Sequence, residues 1–75
     1  MPRLPKLSAK KIIAVLLKEG FYFHHQTGSH INLRHHTRVD LRLVVPRHSG
    51  ELAPKTIKSI IAQSGLSVEE FLSLL

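Results

Sequence analysis

Residues 21–45 read FYFHHQTGSHINLRHHTRVDLRLVV, and their alternation decides the fold. Branched and aromatic residues recur every second position, with breaks at Gln26-Thr27-Gly28 and around His35 to Arg38. This is the pattern of a three-stranded antiparallel meander. Ser29, Ile31 and Leu33 share one face of the second strand, and Val39, Leu41, Leu43 and Val45 share one face of the third. The opposite face carries His30, Asn32 and Arg34, then Asp40, Arg42 and Val44. One side of the sheet is apolar and needs a cover, whereas the other is basic and polar. A two-residue loop at Thr27-Gly28 would set the apolar face of one strand against the polar face of the next. The alternation therefore predicts a three-residue loop, Gln26-Thr27-Gly28, with Gly28 in the left-handed conformation of a bulge. That register pairs Phe23 with Ile31 and Phe21 with Leu33, and it places His24 opposite His30. For the second hairpin, loops of three or five residues both keep parity and place either Arg42 or Val44 opposite His30.

Helical spacing flanks this core on both sides. Ser8 is a suitable N-cap, and Ile12, Ile13, Leu16 and Leu17 predict a helix from Ala9 to about Glu19, ended by Gly20. Beyond Pro46 and the loop Arg47-His48-Ser49-Gly50, a second helix starts near Pro54, where proline suits the first turn. It continues through Ile57, Ile60 and Ile61 to Gly65. Ser67-Val68-Glu69-Glu70 has the form of a capping box, and Val68, Phe71, Leu72 and Leu75 make the apolar stripe of a short last helix. The order is α-β-β-β-α with a short C-terminal helix. It predicts an α+β fold like that of double-stranded-RNA-binding domains, with a three-stranded antiparallel sheet covered by helices on one face and a single domain spanning 1–75.

Composition narrows the partners. With 75 residues there is room for one small core, and 43% hydrophobic with 21% charged residues describes a chain that folds. Without cysteine there is no disulfide, thiolate nucleophile or cysteine-based zinc site, so packing alone must stabilise the fold, which suits an intracellular setting. The longest apolar runs fall far short of a membrane span, and no signal-peptide pattern is visible, so a soluble, cytoplasmic protein is expected. Eleven Lys and Arg against five acids give a formal charge of +6, with six histidines besides. This balance points to a polyanion, either nucleic acid or an acidic protein.

Four motifs together resemble the HicA toxins, small ribonucleases (mRNA interferases) of bacterial and archaeal toxin–antitoxin pairs. They are Gly20-Phe21 after the first helix, Gly28-Ser29-His30 opening the second strand, Val45-Pro46-Arg47-His48 closing the sheet, and the tail from Thr56 to Ser67. The similarity runs from Leu7-Ser8 to Leu75. It implies that His30, the histidine of the Gly-Ser-His motif, is the catalytic residue. It also implies a HicB-type antitoxin that binds the toxin and blocks access of RNA. Thr27 and His25 stand where the family often has basic residues, and Lys55 where it commonly has glycine.

RNA carries its own nucleophile in the 2′-hydroxyl, so its cleavage needs a proton acceptor, a proton donor and positive charge on the phosphate. Histidine suits either proton role, and no metal or other cofactor is required. His24 and His48 are candidates for the second proton carrier or for phosphate contact. Arg34, Arg42, Arg47, Lys55 and Lys58 are the best candidates for RNA contacts, the two lysines because they begin a helix whose free N–H groups attract phosphate. Six histidines from position 24 to position 48 invite a metal reading, but neighbours such as His35 and His36 point to opposite faces when extended, and no clustered carboxylate completes a site. Ser29, His30 and Asp40 do not form a hydrolase triad, because adjacent strand residues face apart. The expectation is a metal-independent endoribonuclease toxin. The alternative is a non-catalytic RNA-binding module of the same fold.

Overall fold

The computed structural model describes residues 4–75. Helix α1 (Ala9–Lys18) leads into strands β1 (Phe21–Thr27), β2 (His30–His35) and β3 (Arg42–Pro46), followed by α2 (Pro54–Ser64) and the short α3 (Val68–Ser73). The strands form one antiparallel sheet in the order β1-β2-β3. The predicted α-β-β-β-α layout with an appended helix is therefore the observed one.

The helix ends follow from local chemistry. The Ser8 Oγ accepts the Lys11 backbone N–H at the start of α1. Pro54 opens α2, and Gly65 ends it in the left-handed conformation, with φ 81°. At α3 both halves of the capping box are formed: Ser67 Oγ accepts from the Glu70 N–H, and the Glu70 carboxylate accepts from the Ser67 N–H. Hydrogen bonds to its carboxylate from the Ser67 backbone N–H, and then from the Ser67 hydroxyl, hold the Glu70 carboxyl below its usual value. Lys18 joins this last helix to the first, its Nζ donating to the Leu74 carbonyl at 3.0 Å.

Both major helices cover the same side of the sheet. Phe21, Leu33, Leu43 and Val45 from the strands meet Ile12, Val15 and Leu16 of α1, Ile57, Ile60 and Ile61 of α2, and Phe71 of α3 in one buried cluster. Burying each such side chain stabilises the fold by about 1.5–3 kcal/mol before the entropy of ordering the chain is subtracted. Ahead of α1, Leu7 accepts a backbone hydrogen bond from Leu52, so the entries to α1 and α2 are tied together.

The register of the first hairpin differs from the expectation. The turn has two residues, Gly28-Ser29, so Thr27 rather than His24 lies opposite His30. Phe23 pairs with Leu33 instead of Ile31, and Phe21 pairs with His35 instead of Leu33. Gly28 has φ 58° while Ser29 keeps an ordinary negative φ, the signature of a II′ turn whose twist matches that of the flanking strands. The parity conflict that this turn creates is resolved inside the strand. A β-bulge between Phe23 and His25 inserts one extra residue, so His24 and His25 together face Asn32. The extra residue was expected in the loop and sits in β1.

The second hairpin also departs from both expected loops. β3 begins at Arg42, leaving residues 36–41 as the connection, and neither Arg42 nor Val44 opposes His30; Pro46 does. Arg42 lies opposite Arg34, and Val44 opposite Asn32. Val39 and Asp40 form a turn, and Val39 is 78% exposed, so neither belongs to the strand faces assigned from the alternation. The longer connection is held by His35. Its Nδ1 accepts the backbone N–H groups of Thr37 and Arg38, and its Nε2 donates to the Glu19 carbonyl at the end of α1.

Candidate functional site

The open face of the sheet is built by alternation. Helices cover the side bearing Leu33 and Leu43, so His30, Asn32 and Arg34 of β2 and Arg42 and Val44 of β3 project to the other side. Tyr22 of β1 lies opposite Arg34 and joins them. None of the chain's five acids lies in any of the three strands. The face is thus uniformly basic or neutral.

His30 is the first residue of β2, held between the Gly28-Ser29 turn and Pro46. It is exposed, and its backbone carbonyl accepts from the Asn32 side chain at 3.4 Å. The Arg47 N–H donates to the Ser29 carbonyl, which brings the loop after β3 against the turn that presents His30. His48 follows, and its Nδ1 accepts the Gly50 N–H. Arg47 and His48 also border a shallow cleft of about 290 Å³ with Lys10 and Ile13 of α1. Arg47 and His48 therefore leave β3 at the same end of the sheet as His30, while their side chains border α1 and Ile31 on the covered side.

The bulge brings His24 and His25 side by side. Their Nδ1 atoms lie 2.7 Å apart, so one ring donates and the other accepts, and the rings meet edge to face at 4.9 Å. The charged form of His24 is disfavoured first by lost solvation and then by the charges of Arg34, His25 and Arg42, so its pKa falls below the ordinary 6.5. His24 is accordingly neutral at pH 7. Its stabilising contribution is present above 6.5 and is lost as pH falls through the lower folded value. Arg34→Ala removes one of the opposing charges and is expected to raise the His24 pKa; an imidazole proton titration followed by NMR checks this, and an unmoved or lowered midpoint contradicts it.

Among the sequence-predicted residues, His24, Arg34 and Arg42 share the open face with His30. Lys55 and Lys58 are exposed on α2, in the helical layer behind the sheet, apart from Arg34 and Arg42. Two rings at this face were not singled out from the sequence. Tyr22 and His36 lie with centroids 4.5 Å apart and planes tilted by 31°. Tyr22 was legible, because it precedes His24 by two in an alternating strand, whereas His36 lies beyond β2 and takes its place from the turn that follows. Among the described residues, no group of three or more histidines and acids converges as a metal site. Nor is any helix among them long and apolar enough to cross a membrane.

Comparison with known families agrees with the four motifs. The family described as the HicA toxin of bacterial toxin–antitoxin systems matches residues 9–66. The chain belongs to the HicA toxin family. The match spans α1 through the end of α2 and includes the Gly28-Ser29-His30 turn, while α3 lies beyond it. Membership implies a toxin that works opposite an antitoxin partner. No curated protein is similar enough to this HicA chain to count as a relative.

Proposed function

We propose that this HicA chain is a metal-independent endoribonuclease toxin that cuts mRNA in the cytoplasm, with His30 as the proton-transfer residue and a HicB-type antitoxin as its restraint. The observation that carries this reading is the position of His30: an exposed imidazole, presented by a tight turn, at the edge of a sheet face without acids. In the proposed reaction a 2′-hydroxyl loses its proton to an imidazole and its oxygen attacks the adjacent phosphorus. The bond to the 5′-oxygen breaks, that oxygen takes a proton, and a 2′,3′-cyclic phosphate and a 5′-hydroxyl remain. Histidine fits either proton role because its ordinary pKa lies close to neutrality.

The second proton carrier is proposed to be His48 or His24. His48 has the support of the Arg47–Ser29 backbone bond, which brings its loop to the turn before His30. His24 has the support of its low pKa, which keeps a neutral, proton-accepting ring at pH 7. Arg34, Arg42 and Arg47 supply positive charge along the strands and the adjoining loop, and Lys55 and Lys58 extend it over α2. The antitoxin is proposed to cover the same basic face with acidic residues.

Incubation of the protein with a long RNA, with and without EDTA, tests this function. Cutting that persists in EDTA supports it. Binding without cutting identifies the non-catalytic RNA-binding module instead, and loss of cutting in EDTA overturns the metal-independent chemistry. RNA affinity is expected to fall with salt on a log–log slope steeper than about −2, since each neutralised phosphate releases counterions. A slope near zero in anisotropy titrations removes the electrostatic basis of the reading.

A further inference from the structure

Three features mark the end of the open face away from His30. Arg34 and Arg42 are directly opposite each other across β2 and β3, an arrangement that disfavours the free fold when both are charged. No strand residue offers a carboxylate to offset them. Beside them, Tyr22 is paired with Arg34, and its ring lies 4.5 Å from that of His36 with the planes 31° apart. His24 continues the row, its ring centroid 6.4 Å from that of Tyr22. Uncompensated guanidiniums call for an anion. A row of rings beside them, Tyr22 half-buried and His24 and His36 exposed, calls for flat, apolar surfaces carried on that anion.

Resting on the reading of this chain as an RNA-acting protein, we propose that Tyr22 and His36, flanked by Arg34 and Arg42, form a base-stacking subsite for unpaired nucleotides. Single-stranded nucleic acid is held in general by this combination of rings for the bases and cations for the phosphates. An acidic protein surface would satisfy the arginines but has no use for the rings. Paired bases are also excluded, because their faces are already stacked within a duplex. Arg34 lies four residues along β2 from His30, about 13 Å at the rise of a strand. A strand seated on the rings therefore reaches His30 a few nucleotides away, and the subsite selects unpaired RNA for the histidine. The contact lies on the open face of the sheet, whereas duplex RNA on a fold of this shape would need a surface spanning successive grooves.

The test uses the full chain and a short 2′-O-methyl oligoribonucleotide, which has no free 2′-hydroxyl and cannot be cut, with a 2-aminopurine at one internal position. The same strand annealed to its complement and heparin, a polyanion without bases, are the comparison ligands. The single strand is expected to bind more tightly than the duplex, with 2-aminopurine fluorescence quenched by stacking. Tyr22→Ala should weaken single-strand binding by about 5- to 150-fold, the loss of one base–ring stack, with little effect on heparin. Tyr22→Phe should retain it, and thermal unfolding confirms that each variant is folded. Replacing Arg34 and Arg42 together by Ala should reduce the salt slope by about 1.4, two phosphate contacts on a single strand. Duplex binding as tight as single-strand binding overturns the subsite, as does a folded Tyr22→Ala that binds the single strand like wild type or loses heparin in equal measure. The two readings fail separately: a protein that stacks the single strand but never cuts unmodified RNA loses the nuclease and keeps the subsite, and one that cuts RNA unaffected by Tyr22→Ala does the reverse.

Discussion

His30→Ala is expected to lose RNA cutting by a factor of about 10² to 10⁴, the range that a positioned proton-transfer group supplies. Growth arrest on expression should disappear with it. Stability should change by less than about 1 kcal/mol, because the imidazole is exposed and lies on the face away from the buried cluster. Affinity for uncut RNA and for the antitoxin should largely survive, since both are proposed to draw on Arg34, Arg42, Arg47 and area spread over the face. Thermal unfolding, an RNA cleavage assay and an antitoxin-binding measurement on this one variant separate the possibilities. A folded His30→Ala that cuts at the wild-type rate would falsify the catalytic assignment. An unfolded one would show instead that the histidine is structural, which its exposed position argues against. A variant that is folded and inactive but has lost RNA affinity in equal proportion would assign His30 to binding and not to proton transfer.

Strand parity alone places His30 on the polar face, where the structure exposes it, although the register differs from the one that parity suggests. Parity fixes only which side of the sheet a residue faces. It requires an extra residue somewhere between Phe23 and Ile31, and a loop of three or a bulge in the strand meets the requirement equally. The chain takes the bulge, which leaves Gly28 free to make a II′ turn and moves Thr27 opposite His30. Alternation cannot see this choice, because both solutions bury the same face. The difference matters for the site, since the bulge is what turns His24 and His25 toward each other.

The connection between β2 and β3 departs from the alternation for a different reason. Val39 and Leu41 extend the alternating pattern of Leu43 and Val45, and nothing in hydropathy marks where pairing stops. What ends the pairing is a side chain acting on the backbone: His35 Nδ1 takes the N–H groups of Thr37 and Arg38, bending the chain away from the sheet. The Arg38 guanidinium then lies against Gly65 at the C-terminal end of α2, where a cation suits the helix dipole. Helix ends were legible to within a residue by contrast, because Ser8, Pro54, Gly65 and Ser67 act on their immediate neighbours. The basic face was legible as a charge, but its division between β2 and β3 in front and α2 behind needed the folded chain.

His35→Ala is expected to produce the largest loss of stability of any histidine substitution. The ring joins three segments: it donates from Nε2 to the Glu19 carbonyl at 2.7 Å, accepts at Nδ1 from the N–H groups of Thr37 and Arg38, and packs edge to face on the buried Phe21 with centroids 4.8 Å apart. Alanine breaks all of these at once and strands polar groups near the core, a loss of about 2–4 kcal/mol. For a domain of this size each 1 kcal/mol lowers Tm by roughly 4–8 °C, so a fall of roughly 8–32 °C is expected. Gly20 provides an internal check. Its φ of 94° already disfavours any side chain, and an added Cβ would lie 2.9 Å from His35 Nε2. Gly20→Ala should therefore destabilise through backbone strain and through displacement of the imidazole. Once His35 is alanine only the strain remains, so the two losses should sum to more than the double variant shows, by about 0.5–2 kcal/mol of coupling. Denaturant titrations of the wild type, both single variants and the double variant measure it. Additive losses would mean that the ring moves aside without cost, and a His35→Ala protein as stable as wild type would remove histidine 35 from any role in closing the fold.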